Sequence, residues 1–382
     1  MKKIISIALA LLMVAVMLPV MAMADEATLQ SQINNATSTI IKLDKDYTED
    51  IVIDKELTID LNGHKLTNNV GDTITVNANG NLTITGNGTV DNVTHGKAAL
   101  SIKENGKATL NGGYFNRSKE NGKGADDPGG NSYYTLINHG ELIINDGAVV
   151  TTASGSSTLG CFSSLVENGY FSHNNSTYYP TLTIKGGIFK GGLNTIKNDD
   201  NGIINIYGGK CENNYQACVQ NHHKATIYNG EFSTDVSSAW SVLNCGSCSS
   251  VDAIHDAHEL VIKNGNFKGD VRANVGTVKI EGGSFESSFT KEGNATIEIS
   301  GGTFKKDIDK SYIVDGKKLD ANGNVVPDTI TIIVPSEGGN TTTTPSTDNT
   351  KNPGTGANDF VGVAAALAVV SLLGAAAVIR KK

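Results

Sequence analysis

An eight-residue unit, apolar-x-apolar-x-(Gly/Asn)-Gly-x-Phe, recurs through this 382-residue chain and restricts its fold more than any other feature. It reads cleanly at Ala108–Phe115, Leu182–Phe189, Ala225–Phe232, Leu260–Phe267, Val278–Phe285 and Ile297–Phe304. It ends on Cys in place of Phe at Ile204–Cys211, is degenerate at Leu142–Val149, and has looser copies at Leu57–Leu66 and Leu82–Val90. Within Leu182–Phe189, strand alternation puts Leu182 and Ile184 on one face and Thr183 and Lys185 on the other. Gly186-Gly187 then permits the positive φ of a sharp corner, and Phe189 returns to the apolar side. One such strand–corner–strand unit cannot bury its apolar face alone, whereas stacked copies can.

The spacing selects the architecture. The closing glycines, Gly113, Gly147, Gly187, Gly209, Gly230, Gly265, Gly283 and Gly302, are separated by 34, 40, 22, 21, 35, 18 and 19 residues. Gaps near twenty fit one coil of a parallel β-helix, and a propeller blade needs about 40–45 residues. The longer gaps read either as coils with loop excursions or as two coils sharing one weak signature. Abundant Gly, Asn and Thr with seven prolines suits short strands and tight turns. The pattern resembles the right-handed parallel β-helix of the pectate-lyase-like superfamily from roughly Thr48 to Val334. The expectation is therefore an all-β solenoid of about a dozen coils, stacked at the spacing of neighbouring strands, with both ends capped. Residues 27–41 are expected to form an amphipathic cap helix, and Tyr312–Val334 a closing hairpin.

The two ends of the chain address it. Lys2 and Lys3, an apolar stretch from Ile4 to Val20, and Ala22-Met23-Ala24 have the form of a secretory signal, with cleavage expected between Ala24 and Asp25. At the other end Asn352-Pro353-Gly354-Thr355-Gly356 precedes an apolar run from Phe360 to Ile379, about the ~20 residues that span a bilayer, and the cations Arg380, Lys381 and Lys382. The pentapeptide resembles the Leu-Pro-X-Thr-Gly sorting signal of Gram-positive surface proteins, with Asn in place of Leu. The resemblance implies a sortase that cuts between Thr355 and Gly356 and joins Thr355 to peptidoglycan. The expected organisation is a signal peptide (1–24), a β-helix domain (25–335), a Thr-rich disordered spacer (336–351) and a sorting signal (352–382) whose apolar segment is a membrane helix until processing. A plain C-terminal membrane anchor is the alternative for the tail.

Charge narrows the partners. The chain has 31 basic and 39 acidic residues; without Lys2 and Lys3, and without Asp359, Arg380, Lys381 and Lys382, 26 basic and 38 acidic residues remain. No basic stripe suited to nucleic acid is present. Polysaccharide-active enzymes of the resembled superfamily carry Asp triads or an Arg beside a calcium–carboxylate cluster. Here the acidic pairs are Asp126-Asp127 and Asp199-Asp200, both in turn-like contexts and read as solvated turns; neither Arg117 nor Arg272 has a lyase-like setting. The sequence therefore supplies no catalytic residues, cofactor or metal site.

Cysteines and aromatics are the remaining signals. Cys211 and Cys218, and Cys245 and Cys248, are two local pairs for disulfides in an exported chain. The other readings are buried thiols within the coils, or metal binding with His222, His223, His255 and His258; Cys161 is left over. Tyr133-Tyr134, Tyr170-Phe171, Tyr178-Tyr179 and Trp240 fall in the long gaps, where they either stack on sugars or cover core edges. The functional expectation is a secreted, sortase-anchored, non-enzymatic adhesin or glycan- or host-ligand-binding rod. The alternative is a polysaccharide-active lyase or glycoside hydrolase.

Overall fold

The computed structural model of the chain describes residues 27–94, 96–118, 133–152, 164–171, 177–245 and 258–328, together with the backbone of Thr331–Ile333 and Thr343–Pro345. Two compact units are resolved, one reaching Pro327 and one starting at Asp328. In the second unit Thr331–Ile333 pairs antiparallel with Thr343–Pro345, the latter inside the stretch expected as spacer. The signal peptide, the remainder of the spacer and the sorting signal lie outside the described residues.

The first unit is a parallel β-solenoid. Two sheets of eleven strands and one of ten are each built by taking every third strand along the chain, all in parallel register. The first sheet runs from Ile40–Lys42 to Thr296–Ile299, the second from Tyr47–Thr48 to Thr303–Phe304, and the third from Ile51–Ile53 to Phe289–Lys291. Each long gap in the repeat is a single coil: Lys107–Leu110 pairs directly with Glu141–Ile144, and Lys224–Ile227 with Glu259–Ile262.

The repeat unit spans the corner between the first and second sheets. Leu182 and Ile184 are buried, while Thr183 and Lys185 are not. At the corner Gly187 has φ +95° and Gly283 φ +108°, a region that L side chains avoid. The Phe of each unit then enters the core. Phe232, Phe267, Phe285 and Phe304 form a stack with centroids 5.0, 4.7 and 5.0 Å apart and planes within 8° of parallel, an arrangement stabilised beyond simple area burial.

Both caps are shorter than the sequence suggests. The N-terminal helix α1 covers Leu29–Asn35, capped by the Thr28 hydroxyl accepting from the Ser31 amide, and it buries Leu29 and Ile33 against the first coil. Its expected extension to residue 41 is replaced by Ile40–Lys42, which joins the first sheet beside Glu56–Asp60. The β-branched run Thr37 to Ile41 contains only one non-β-branched residue, Ser38, so it favours a strand over a further turn of helix. At the far end Lys317–Leu319 and Val325–Pro327 form an antiparallel hairpin within the predicted closing segment. Among the described residues no helix is long and apolar enough to cross a membrane.

Candidate functional site

The third sheet carries a second repeat, apolar-x-Asn: Leu136-Ile137-Asn138, Val166-Glu167-Asn168, Ile196-Lys197-Asn198, Val219-Gln220-Asn221 and Val242-Leu243-Asn244 stack in register. The asparagines point inward. Each donates from Nδ2 to the Oδ1 of the next, at 2.7, 2.8, 2.8 and 2.7 Å from Asn138 to Asn244. The same amides bond carbonyls at the corner, as Asn198 does to Gly202 and Lys224. A fully bonded polar ladder fixes register inside the core, where an unpaired amide is costly.

The middle residue of each triplet points outward, yet this outer row is buried. Ile137, Glu167, Lys197, Gln220 and Leu243 are all at most 8% exposed. The coils that depart from the regular period do so in connections into or out of this sheet: 117–135, 151–165, 169–180 and 245–258. Part of each lies outside the described residues. The described parts bring aromatic side chains onto the row.

At the centre of this face is a charged cluster. Lys197 Nζ lies 2.9 and 3.1 Å from the two carboxylate oxygens of Asp199. The Glu167 carboxyl, one coil back, is hydrogen-bonded to Asp199. Burial pushes the Glu167 pKa well above the usual carboxylate range, the neighbouring Asp199 charge adds to this, and Lys197 opposes it. A histidine stands at each side: His139 Nε2 is 4.0 Å from Glu167 Oε2, and His222 Nε2 is 4.0 Å from Asp199 Oδ1. Burial, followed by the nearby Lys103 charge, lowers the pKa of His139 and favours its neutral form.

Aromatic rings surround the cluster. The Phe171 ring centroid is 4.4 Å from Lys197 Nζ, and the Tyr134 hydroxyl is 3.4 Å from it. Tyr170 donates to Glu104 at 2.5 Å and stacks on His139 with centroids 4.8 Å apart. Tyr179 packs 5.8 Å from His223, and Arg272 lies over Trp240 at 4.8 Å. Arg117, fully buried, donates to the carbonyls of Lys97 and Tyr133. The aromatics of the long gaps thus divide: Tyr134 and Tyr170 cover the sheet, while Phe171 and Tyr179 remain more than half exposed.

Two sequence readings change here. Asp199 and Asp200 are not a solvated turn; both are fully buried, and Asp199 is the anion of the charged cluster. The turn signals around them are genuine, because the strand Asn194–Asn198 ends there, but the turn is enclosed by the neighbouring coil, with the Asp199 amide bonded to the Asn168 carbonyl and the Tyr170 amide to the Asp200 carbonyl. Asp126-Asp127 lies outside the described residues.

Cys211 and Cys218 are buried free thiols that face each other within one coil. The Cys211 sulfur donates to the Cys218 carbonyl at 3.4 Å and the Cys218 sulfur to the Ser233 carbonyl at 3.2 Å. Burial, then the neighbouring thiol, pushes the Cys211 pKa well up. Cys245 is a free thiol whose pKa burial raises to about 11; Cys161 and Cys248 lie outside the described residues. Among the described residues no group of three or more His, Cys, Asp or Glu is arranged to hold a metal. His223 and His258 are bonded to the carbonyls of Gly202 and His222 at 3.0 and 2.7 Å.

A separate groove of about 400 Å³ follows the glycine corner between the first and second sheets. Its walls are mainly Gly147, Gly187, Gly209 and Gly230, and two of its charges, Lys210 and Glu231, are paired with each other at 2.9 Å. It follows from the missing side chains of the repeat and gathers no reactive groups. No family model, curated protein or solved structure matches this chain.

Proposed function

We propose that this chain is a secreted, sortase-anchored surface protein of Gram-positive type, whose right-handed, pectate-lyase-like solenoid presents the outer face of the third sheet to a glycan. One observation carries the binding reading: Phe171 and Tyr179, both more than half exposed, stand beside the third sheet, Phe171 over Lys197 and Tyr179 against His223. Exposed aromatic rings give the flat apolar platforms on which a sugar face can stack. Right-handedness follows the strong preference of parallel crossover connections. The anchoring reading rests on the sequence of Asn352–Gly356 and the segment after it.

In this proposal Cys211–Cys218 and Cys245–Cys248 close as local disulfides after export. The partners are a sortase, peptidoglycan and the glycan or host ligand. Membrane contact is limited to the C-terminal segment before processing. Fractionation of the native host tests the address: muramidase should release the protein, and Thr355→Ala should shift it to the membrane or the medium. A glycan array probed with the muramidase-released protein tests the binding. Failure to retain any glycan would end that reading.

A second reading, a polysaccharide-active enzyme, is favoured by the Glu167–Asp199 contact. Two adjacent carboxyls, one with its pKa raised well above the usual carboxylate range by burial and by its neighbour's charge, are the groups that general acid–base chemistry uses. Release of reducing or unsaturated ends from a polysaccharide panel, lost in Glu167→Gln, would establish it; inactivity across acidic and neutral polymers would remove it.

A further inference from the structure

We propose that Lys197 and Asp199 become joined by an amide bond between Lys197 Nζ and Asp199 Cγ, formed within the folded chain with Glu167 as the catalytic acid. This bond is independent of the ligand reading, because every reacting group belongs to this chain.

The geometry supplies the reactants. The amine and the carboxyl are already in contact through both carboxylate oxygens. The two residues flank Asn198, whose inward ladder bonds hold the backbone between them. Such fixed proximity is worth an effective concentration on the order of 10⁵ M or more when the groups are well oriented. Presenting the carboxyl carbon to Nζ requires turning the carboxylate about its Cβ–Cγ bond, a soft torsion.

The setting favours the product. Lys197 and Asp199 side chains are 9% and 0% exposed. Two opposite charges buried this deeply are costly even when paired. Condensation replaces both with one neutral amide. The Phe171 and Tyr134 rings lie against the lysine end and hold Nζ in place beside Asp199.

Glu167 supplies the proton traffic. A hydrogen bond between two carboxyl groups needs one proton, and the Glu167 contact with Asp199 provides the donor beside the departing oxygen. The Lys197 ammonium first passes a proton to the Asp199 carboxylate. The neutral amine attacks Cγ, forming the C–N bond. Glu167 protonates the hydroxyl on that carbon, the C–O bond breaks, and water leaves. The Glu167 carboxylate then takes a proton from the nitrogen and is restored. One water is released, and no oxidant or reductant is involved.

Peptide mass mapping of the secreted full chain, digested with trypsin after unfolding, tests the bond. An acylated Lys197 resists trypsin, so the expected product is the uncut peptide Gly191–Lys210, lighter than its sequence mass by one water. The deficit should persist in hydroxylamine, which opens a cyclic imide at Asp. Lys197→Arg and Glu167→Gln should restore the full mass, and Glu167→Gln should also restore cleavage after Lys197. Full-mass wild-type peptides ending at Lys197, or a deficit removed by hydroxylamine, would overturn the bond. A cross-linked Glu167→Gln chain would overturn the role of Glu167. Should that variant fold poorly, the wild-type peptide decides alone.

Discussion

Two ion pairs on two faces of the same solenoid behave as different chemistry. On the first sheet Lys107 meets Glu141 at 3.0 Å, with both side chains about half exposed. On the third sheet Lys197 meets Asp199 at 2.9 Å, with both shielded from solvent. The contact distances are nearly equal, but the surroundings are not. Water screens the first pair and leaves it worth about 0–1 kcal/mol. The second pair sits against aromatic rings beside Glu167, whose pKa burial raises, and before any condensation losing either partner strands a buried charge. The regular corner and first sheet are built to stack; the third sheet, where the coils lengthen, holds the buried charged groups.

The sharpest way to break this contrast is Lys197→Met. Whether the wild-type pair is ionic or amide-linked, the substitution leaves Asp199 buried without its partner and should cost about 3–5 kcal/mol of stability, read from urea unfolding; a loss below 1 kcal/mol would make the two faces equivalent. Next is Asn198→Ala. It takes one partner each from the Asn168 amide and the Asn221 carboxamide oxygen, which keep bonds to the Ile203 carbonyl and from the His223 amide, and it frees the Gly202 and Lys224 carbonyls of their Asn198 donor, a loss of roughly 1–3 kcal/mol.

A smaller effect appears in pH dependence. Glu167 holds its proton more tightly folded than unfolded. Its stabilising contribution is therefore complete below the ordinary glutamate value of 4.5 and is lost as pH rises through the elevated folded value. Glu167→Gln should flatten that decline in denaturation midpoints measured from acid to neutral pH, and an unchanged slope would contradict the assignment. The smallest effect is expected for Lys107→Met, about 0–1 kcal/mol in the same urea assay.

The solenoid was legible because its corner unit is local. Gly-Gly-x-Phe states a strand, a turn and a core ring within eight residues, and the register of the Phe stack follows. The third sheet was less legible. Its apolar-x-Asn triplets are present in the sequence at Asn138, Asn168, Asn198, Asn221 and Asn244, but variable excursions separate them, so their period is hidden. Asp199 was misread for a related reason: an Asp-Asp-Asn-Gly run has the signature of a solvated turn. Only the stacking of coils shows that this turn is enclosed. Lys197 and Glu167 carried no sequence signal of their own; they lie 30 residues apart and meet because Val166–Asn168 pairs with Ile196–Asn198. Cys211, by contrast, was placed correctly in the core by its position in the repeat.

The most direct test of the third sheet as the functional face is comparative binding to the retained glycan. Phe171→Ala with Tyr179→Ala should be compared with Tyr207→Ala, which removes the exposed ring of the Tyr207–Tyr228 stack at the end of the first sheet. Loss of binding in the first variant and retention in the second is the predicted result. Retention in the first with loss in the second would contradict the account and move the binding face to the first sheet.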